Sequence, residues 1–134
     1  MKVLIVDDTP EIVSLFESAS LTQAGIEVTT ALSGEEALSL VMSEKYDFIS
    51  LDILMPGATG LDCIPLLRSA CPDAVISVIS AHIPENLSPE LAACIDVLIA
   101  KPVGLNIFQQ ALSCAGRMIV ARKELRSLGI RHKA

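Results

Sequence analysis

Two kinds of segment alternate along the chain. Val3-Leu4-Ile5-Val6, Phe48-Ile49-Ser50-Leu51, Val75-Ile76-Ser77-Val78-Ile79 and Val97-Leu98-Ile99-Ala100 are short and almost continuously apolar. Runs of that length read as strands covered on both faces, the pattern of a parallel sheet. Ile26-Glu27-Val28-Thr29-Thr30 instead alternates apolar with polar positions, as a half-exposed edge strand does.

The segments between these runs carry helix ends. Thr9-Pro10-Glu11 offers a cap, a proline at the first helical position and an early acid, and Gly25 is placed to close that helix. Ser33-Gly34-Glu35-Glu36 has capping-box spacing for a second helix through Met42. A third is predicted from Gly60 to Ala70, ending before Pro72. Pro84 and Pro89 interrupt residues 83–94 and restrict the fourth to a short helix starting at Ser88-Pro89. A fifth begins near Gly104 and runs to Leu128. There is no internal repeat, low-complexity stretch or linker. Strands alternating with helices in this way imply βαβ crossovers and a three-layer α/β sandwich.

Composition narrows the class. The 134 residues suit one domain, and 51% hydrophobic content is far too apolar for a disordered chain. No apolar run approaches the ~20 residues that span a bilayer. The first apolar run meets Asp7-Asp8 at once, unlike a signal peptide, so a soluble, cytoplasmic protein without membrane attachment is expected. Cys63, Cys71, Cys94 and Cys114 lack paired spacing and a neighbouring histidine, and read as small buried hydrophobes in a reducing compartment. His82 and His132 are isolated and take no chemical role.

Charge is unevenly divided. Residues 1–116 carry 4 Lys/Arg against 15 Asp/Glu, a net −11, whereas residues 117–134 carry 6 Lys/Arg against Glu124 alone, a net +5. An acidic body argues against nucleic-acid binding by the main domain.

In open α/β sheets ligands sit at the carboxyl ends of the strands. The polar residues at those ends are Asp7-Asp8, Asp52, Ser80 and Lys101. Singly, each has an ordinary reading as a cap or a turn residue. Together they are harder to dismiss. Converging carboxylates repel one another unless a cation compensates, and Mg²⁺, with its preference for oxygen ligands, meets that need. Three acids, a lysine and a hydroxyl suit phosphoryl transfer to a carboxylate, where metal and ammonium neutralise developing charge.

The combination resembles the receiver domain of two-component response regulators over residues 2 to about 118. Four pieces carry the resemblance, in the family's order and spacing: Val6-Asp7-Asp8; Asp52-Ile53-Leu54-Met55-Pro56 with Gly60 eight residues after the aspartate; Ser80-Ala81; and Lys101-Pro102. The resemblance implies a flavodoxin-like five-stranded parallel sheet in the order 2-1-3-4-5. It also implies that Asp52 is the nucleophile taking a phosphoryl group from a sensor histidine kinase or phosphotransfer protein. By the same likeness Asp8, Asp52 and the Leu54 backbone carbonyl would bind Mg²⁺, with Asp7 holding a metal-bound water. Lys101, placed by a cis bond to Pro102, would pair with the phosphoryl group, Ser80 would move to bond it, and Ala81 would leave it room. The domain boundaries implied are a receiver over residues 1–118 and a basic extension over 119–134.

Two features depart from that pattern. Leu98 stands three residues before the lysine, where the family usually has an aromatic that swings inward, and the prolines near Ser88 make the fourth helix unusual. An intact phosphorylation site with a modified readout is therefore expected. On the fifth helix, Ile107, Ala111, Cys114, Met118, Ala121, Leu125 and Leu128 recur at alternating four- and three-residue steps, a heptad-like seam. Its first half is expected to pack on the sheet. Its second half is either a frayed amphipathic end or a surface for a homodimer or a docking partner.

Other readings compete. A dehalogenase-like phosphatase would form an aspartyl phosphate but places its nucleophile in a D-x-D pattern on the first strand, unlike Asp7-Asp8. A flavodoxin-like cofactor binder would want a Ser/Thr/Gly-rich loop where the acids stand. The chain also fits the receiver portion of a longer regulator.

Overall fold

The computed structural model describes residues 1–54 and 60–129. In chain order the elements are β1 (Lys2–Val6), α1 (Pro10–Leu21), β2 (Glu27–Ala31), α2 (Gly34–Ser43), β3 (Phe48–Leu51), α3 (Gly60–Ala70), β4 (Val75–Ser80), α4 (Pro89–Ala92), β5 (Val97–Ala100) and α5 (Leu105–Leu128). The strands form one parallel sheet in the order β2-β1-β3-β4-β5. That is the expected order, and it puts β1 and β3 side by side with Val6 opposite Leu51. The residues following those two strands, Asp7 and Asp52, therefore leave the sheet as neighbours.

Alternation along the central strands divides the core. Leu4, Val6, Ile49, Leu51, Ile76 and Val78 face α2 and α3, where Ala37, Val41, Cys63, Ile64 and Leu67 meet them. Val3, Ile5, Phe48, Val75 and Ile79 face the opposite way onto Val13 and Phe16 of α1 and Phe108 and Leu112 of α5. All three phenylalanines of the chain gather there. Phe16 stacks on Phe108 with ring centroids 4.3 Å apart, and Phe48 meets the same ring edge-on at 6.2 Å.

The helix ends follow local chemistry. Ser33 Oγ accepts from Glu36 N at 3.1 Å to start α2, and Ser88 Oγ accepts from Leu91 N at 3.2 Å to start the single turn of α4. At α1 the structure departs from expectation. That helix stops at Leu21, and Gly25 lies beyond the cap in the turn into β2, where φ is +77° and glycine avoids steric cost.

Three further expectations are corrected. β5 is not covered on both faces: its residues alternate half-buried with exposed, and Leu98 is 43% exposed. The cause is α4, whose four residues are too short to roof an edge strand. β5 is held by its parallel pairing with β4, and the segment leading into it is tied down by Arg68 at the end of α3, which donates to the carbonyls of Ala74 and Cys94 and pairs with Asp96 Oδ2 at 2.7 Å. That same Asp96 oxygen accepts from Ile76 N.

On α5 the seam is not the main packing face, and of its first half only Ala111 touches the core. Phe108, Leu112 and Ala115 enter the core, one position on from Ile107, Ala111 and Cys114. Two stripes of similar period run along this helix, and the one bearing Phe108 and Leu112 buries more apolar area. The helix continues without a break past residue 118, where Arg122 donates to the Asp73 carbonyl and Arg126 pairs with its side chain at 3.1 Å. Among the cysteines only Cys63 and Cys71 are buried; Cys94 is half-buried and Cys114 exposed. No helix among the described residues is long and apolar enough to cross a membrane.

Candidate functional site

Asp7 and Asp52 continue from β1 and β3, and both are almost fully buried. Their backbones extend the sheet pattern: Asp52 N donates to Val6 O at 3.0 Å, and Asp7 N to Ala31 O at 3.1 Å. Each side chain is oriented by an amide two residues on. Thr9 N donates to Asp7 Oδ1 at 3.0 Å and Leu54 N to Asp52 Oδ1 at 2.9 Å. Asp8 is the more accessible acid, and its carboxylate accepts no protein hydrogen bond among the described residues. Carboxylate oxygens of all three lie within 4.8 Å of one another.

Lys101 enters from the end of β5. Its Nζ bridges the two buried acids, 2.9 Å from Asp7 Oδ2 and 3.1 Å from Asp52 Oδ2. Burial works against the ammonium, but the hydrogen bonds and charges of Asp7 and Asp52 outweigh it and raise its pKa above the ordinary lysine value. The peptide bond from Lys101 to Pro102 is cis, as the resemblance implied. Ser80 ends β4, is fully buried, and is tied to the lysine through Lys101 N donating to its carbonyl at 2.8 Å. Its Oγ accepts from His82 N at 3.4 Å. Ala81 lies nearby, lining a mostly apolar groove of about 460 Å³ with Ile12, Leu15 and Phe16 of α1 and with Lys101, Pro102 and Val103.

The residues singled out from sequence thus fall at one edge of the sheet, with Asp7, Asp8, Asp52 and Lys101 in one cluster. Met55 and Pro56 of the Asp52 segment lie outside the described residues. Leu98 does not point to the cluster; it borders a small hollow with Leu87, Ala92 and Ile95 on the outside of the sheet.

In the sequence Gly60 is marked by its spacing alone, and the structure supplies its reason. A Cβ there would lie 2.5 Å from Ile53 Cα and 2.8 Å from Asp52 O. The first turn of α3 therefore presses on the backbone that carries Asp52, an approach only glycine permits. Its place eight residues after the aspartate was the one signal available.

Net charge decides what the cluster can do. Three carboxylates against one ammonium leave a surplus of about two negative charges in an oxygen-only donor set, which a hard divalent cation fits. A small anionic group with its own cation is accommodated; an apolar ligand is not.

Comparison with known proteins bears on the same residues. The response regulator receiver domain family matches residues 3–113. Protein-glutamate methylesterase/protein-glutamine glutaminase 2 of Rhodopseudomonas palustris is 34% identical over 78% of this chain, which spans only 29% of that relative's length. The response regulator TrrA of Thermotoga maritima, solved with Mg²⁺-BeF, is 32% identical, covers 85% of this chain and 97% of its own, and superposes with a TM-score of 0.72. TrrA has also been solved in complex with the histidine kinase ThkA. A Burkholderia pseudomallei response regulator, solved with a phosphorylated aspartic acid, a calcium ion and citrate, is 26% identical over 93% of this chain and 74% of its own, with a TM-score of 0.74. With the family matched across the sheet and the acids and lysine gathered at its edge, the chain belongs to the response regulator receiver domain family and is a phosphoacceptor domain.

Proposed function

We propose that Asp52 accepts a phosphoryl group from a sensor histidine kinase or phosphotransfer protein, in an Mg²⁺-dependent reaction in the cytoplasm, and that the change at the sheet edge alters partner binding. The observation that carries this is the convergence of Asp7, Asp8 and Asp52 within 4.8 Å. Lys101 bridges two of them. The chemistry is confined to the domain's own phosphorylation and dephosphorylation. What the switch controls lies with its partners, since the chain spans less than a third of the first curated relatives.

Each side chain has a part that follows from its bonds. Mg²⁺ takes one or two carboxylates and keeps several waters. Asp8, whose carboxylate accepts no protein hydrogen bond among the described residues, and Asp52 would be the direct ligands, joined by the Leu54 carbonyl. Asp7 already accepts from Thr9 N and Lys101 Nζ, which suits it to holding a metal-bound water. Bound there, the cation neutralises charge on the phosphoryl oxygens.

The nucleophile is a carboxylate oxygen of Asp52. Its bond to phosphorus forms as the donor's bond, P–N in a phosphohistidine, breaks and the electron pair leaves with the imidazole. Leu54 N holds the other carboxylate oxygen during attack. Lys101 passes its bond from Asp52 to a phosphoryl oxygen, and Ser80 moves to bond another. Ala81 keeps the approach open.

The test uses acetyl phosphate with Mg²⁺ and intact mass. A hydroxylamine-labile adduct is expected on the wild type and none on Asp52→Ala; an undiminished adduct on that variant refutes the assignment. Cation binding to the native state adds about 1.4 kcal/mol of stability at tenfold excess over Kd. Thermal unfolding should therefore rise with Mg²⁺ in the wild type and much less in Asp8→Ala, and equal responses would remove Asp8 from the site.

A further inference from the structure

Most of the seam along α5 is left uncovered by the domain, Ala111 alone touching its core. Ile107, Cys114, Met118, Ala121, Leu125 and Leu128 are exposed, the last two 69% and 82% so, and Ala111, between Ile107 and Cys114, is half-buried. The packing stripe at Phe108, Leu112 and Ala115 sits about 100° around the helix, so α5 can hold its own domain and a second helix at once.

We propose that this seam binds the same seam of a second copy of the chain, with the two helices antiparallel. Size and charge independently choose that occupant and that direction. In the register that sets Met118 on the partner's Ala121, Cys114 falls on the partner's Leu125 and Ala111 on the partner's Leu128. Every layer then joins a small side chain to a large one, the condition for even packing along a helix pair. A parallel pair would stack alanine on alanine and leucine on leucine, alternating gaps with crowding.

The flanking charges agree. Arg117 and Glu124 occupy equivalent positions on one side of the seam. Antiparallel pairing sets Arg117 against the partner's Glu124, and by symmetry does so twice. Parallel pairing would set Arg117 near the partner's Arg122. Both groups are available: Arg117 donates to Cys114 Sγ at 3.1 Å, and the Glu124 carboxylate has no partner among the described residues. Arg122 and Arg126 are engaged with Asp73 inside the domain.

Sedimentation equilibrium of the full chain tests the dimer, and charge reversal tests its direction. The wild type should dimerise reversibly, more weakly at high salt. Arg117→Glu and Glu124→Arg should each weaken the dimer about tenfold, and the two together should restore it. A thiol oxidant should cross-link Leu125→Cys through Cys114 of the partner subunit and leave the wild type uncrosslinked. A chain monomeric at every concentration overturns the proposal and leaves the seam to a different protein. An Arg117→Glu chain that dimerises more tightly, or ready cross-linking of the wild type through its exposed Cys114, overturns the antiparallel direction. Circular dichroism and phosphoryl uptake from acetyl phosphate should stay unchanged in these variants, which separates failure of the dimer from failure of the phosphoacceptor assignment.

Discussion

Replacing Gly60 with alanine perturbs the phosphoacceptor without touching any charged group. The new methyl would lie 2.5 Å from Ile53 Cα and 2.8 Å from Asp52 O, both backbone atoms that cannot rotate aside. Restoring an ordinary separation of 3.4 Å at the nearer atom needs a shift of about 0.9 Å, because repulsion rises steeply inside contact distance. Either α3 backs away from the sheet, loosening Cys63, Ile64 and Leu67, or the Asp52–Ile53 backbone moves. Overpacking of this kind costs about 1–3 kcal/mol, against less than about 1 kcal/mol returned by alanine's better helix propensity. Urea unfolding should show a net loss of about 1–2 kcal/mol. Because Asp52 must keep its Leu54 N and Lys101 bonds, phosphoryl uptake should also slow by at least about tenfold, since small misplacements of a reacting group are costly. The control is Gly116→Ala, where an added Cβ meets nothing within 4 Å. A Gly60→Ala protein with wild-type stability and wild-type uptake would refute the idea that α3 presses on the phosphoacceptor backbone.

Two further predictions concern Lys101 and Leu98. The Lys101 pKa is raised in the folded state, so its stabilising pairs are fully present below the unfolded value of about 10.5 and lost as pH climbs through the higher folded value. Lys101→Met should therefore cost about 2 kcal/mol in urea unfolding at pH 8, discounted for its partial exposure, with the gap to wild type narrowing as pH rises beyond the unfolded value; a gap constant across that range would contradict the pairing. It should also make the protein more responsive to Mg²⁺, which then faces the acids uncompensated. Leu98 already lies outward on an uncovered strand, so a beryllofluoride phosphate mimic should change amide exchange mainly around Ser80 and α4. A large concerted change across residues 85–110 would show that a leucine at this position transmits the switch as fully as an aromatic.

Much of the fold was legible because local signals and the global pattern agree. The apolar runs specify buried central strands, and the bounds of α3 and the start of α4 follow from glycine, serine and proline chemistry that acts within a few residues. The site was legible for a related reason. Polar residues that end apolar strands of a parallel sheet must share one edge, so the order of residues alone brings Asp7, Asp8, Asp52 and Lys101 together.

What tertiary structure alone decided are the choices between sequence patterns of equal local merit. An apolar run such as Val97–Ala100 does not say whether a neighbour is long enough to cover it; α4, at one turn, is not, and β5 stays half-exposed. Two heptad stripes run along α5, and only competition for the sheet buries Phe108 and Leu112 while leaving Leu125 and Leu128 in water. The contact of Gly60 with the Asp52 backbone arises where a helix from one crossover meets the strand before it. Periodicity and capping act over a few bonds and are written in the order of residues. Which of several apolar faces wins a shared core depends on the volume every other element has already taken, and that is settled only when the whole chain packs.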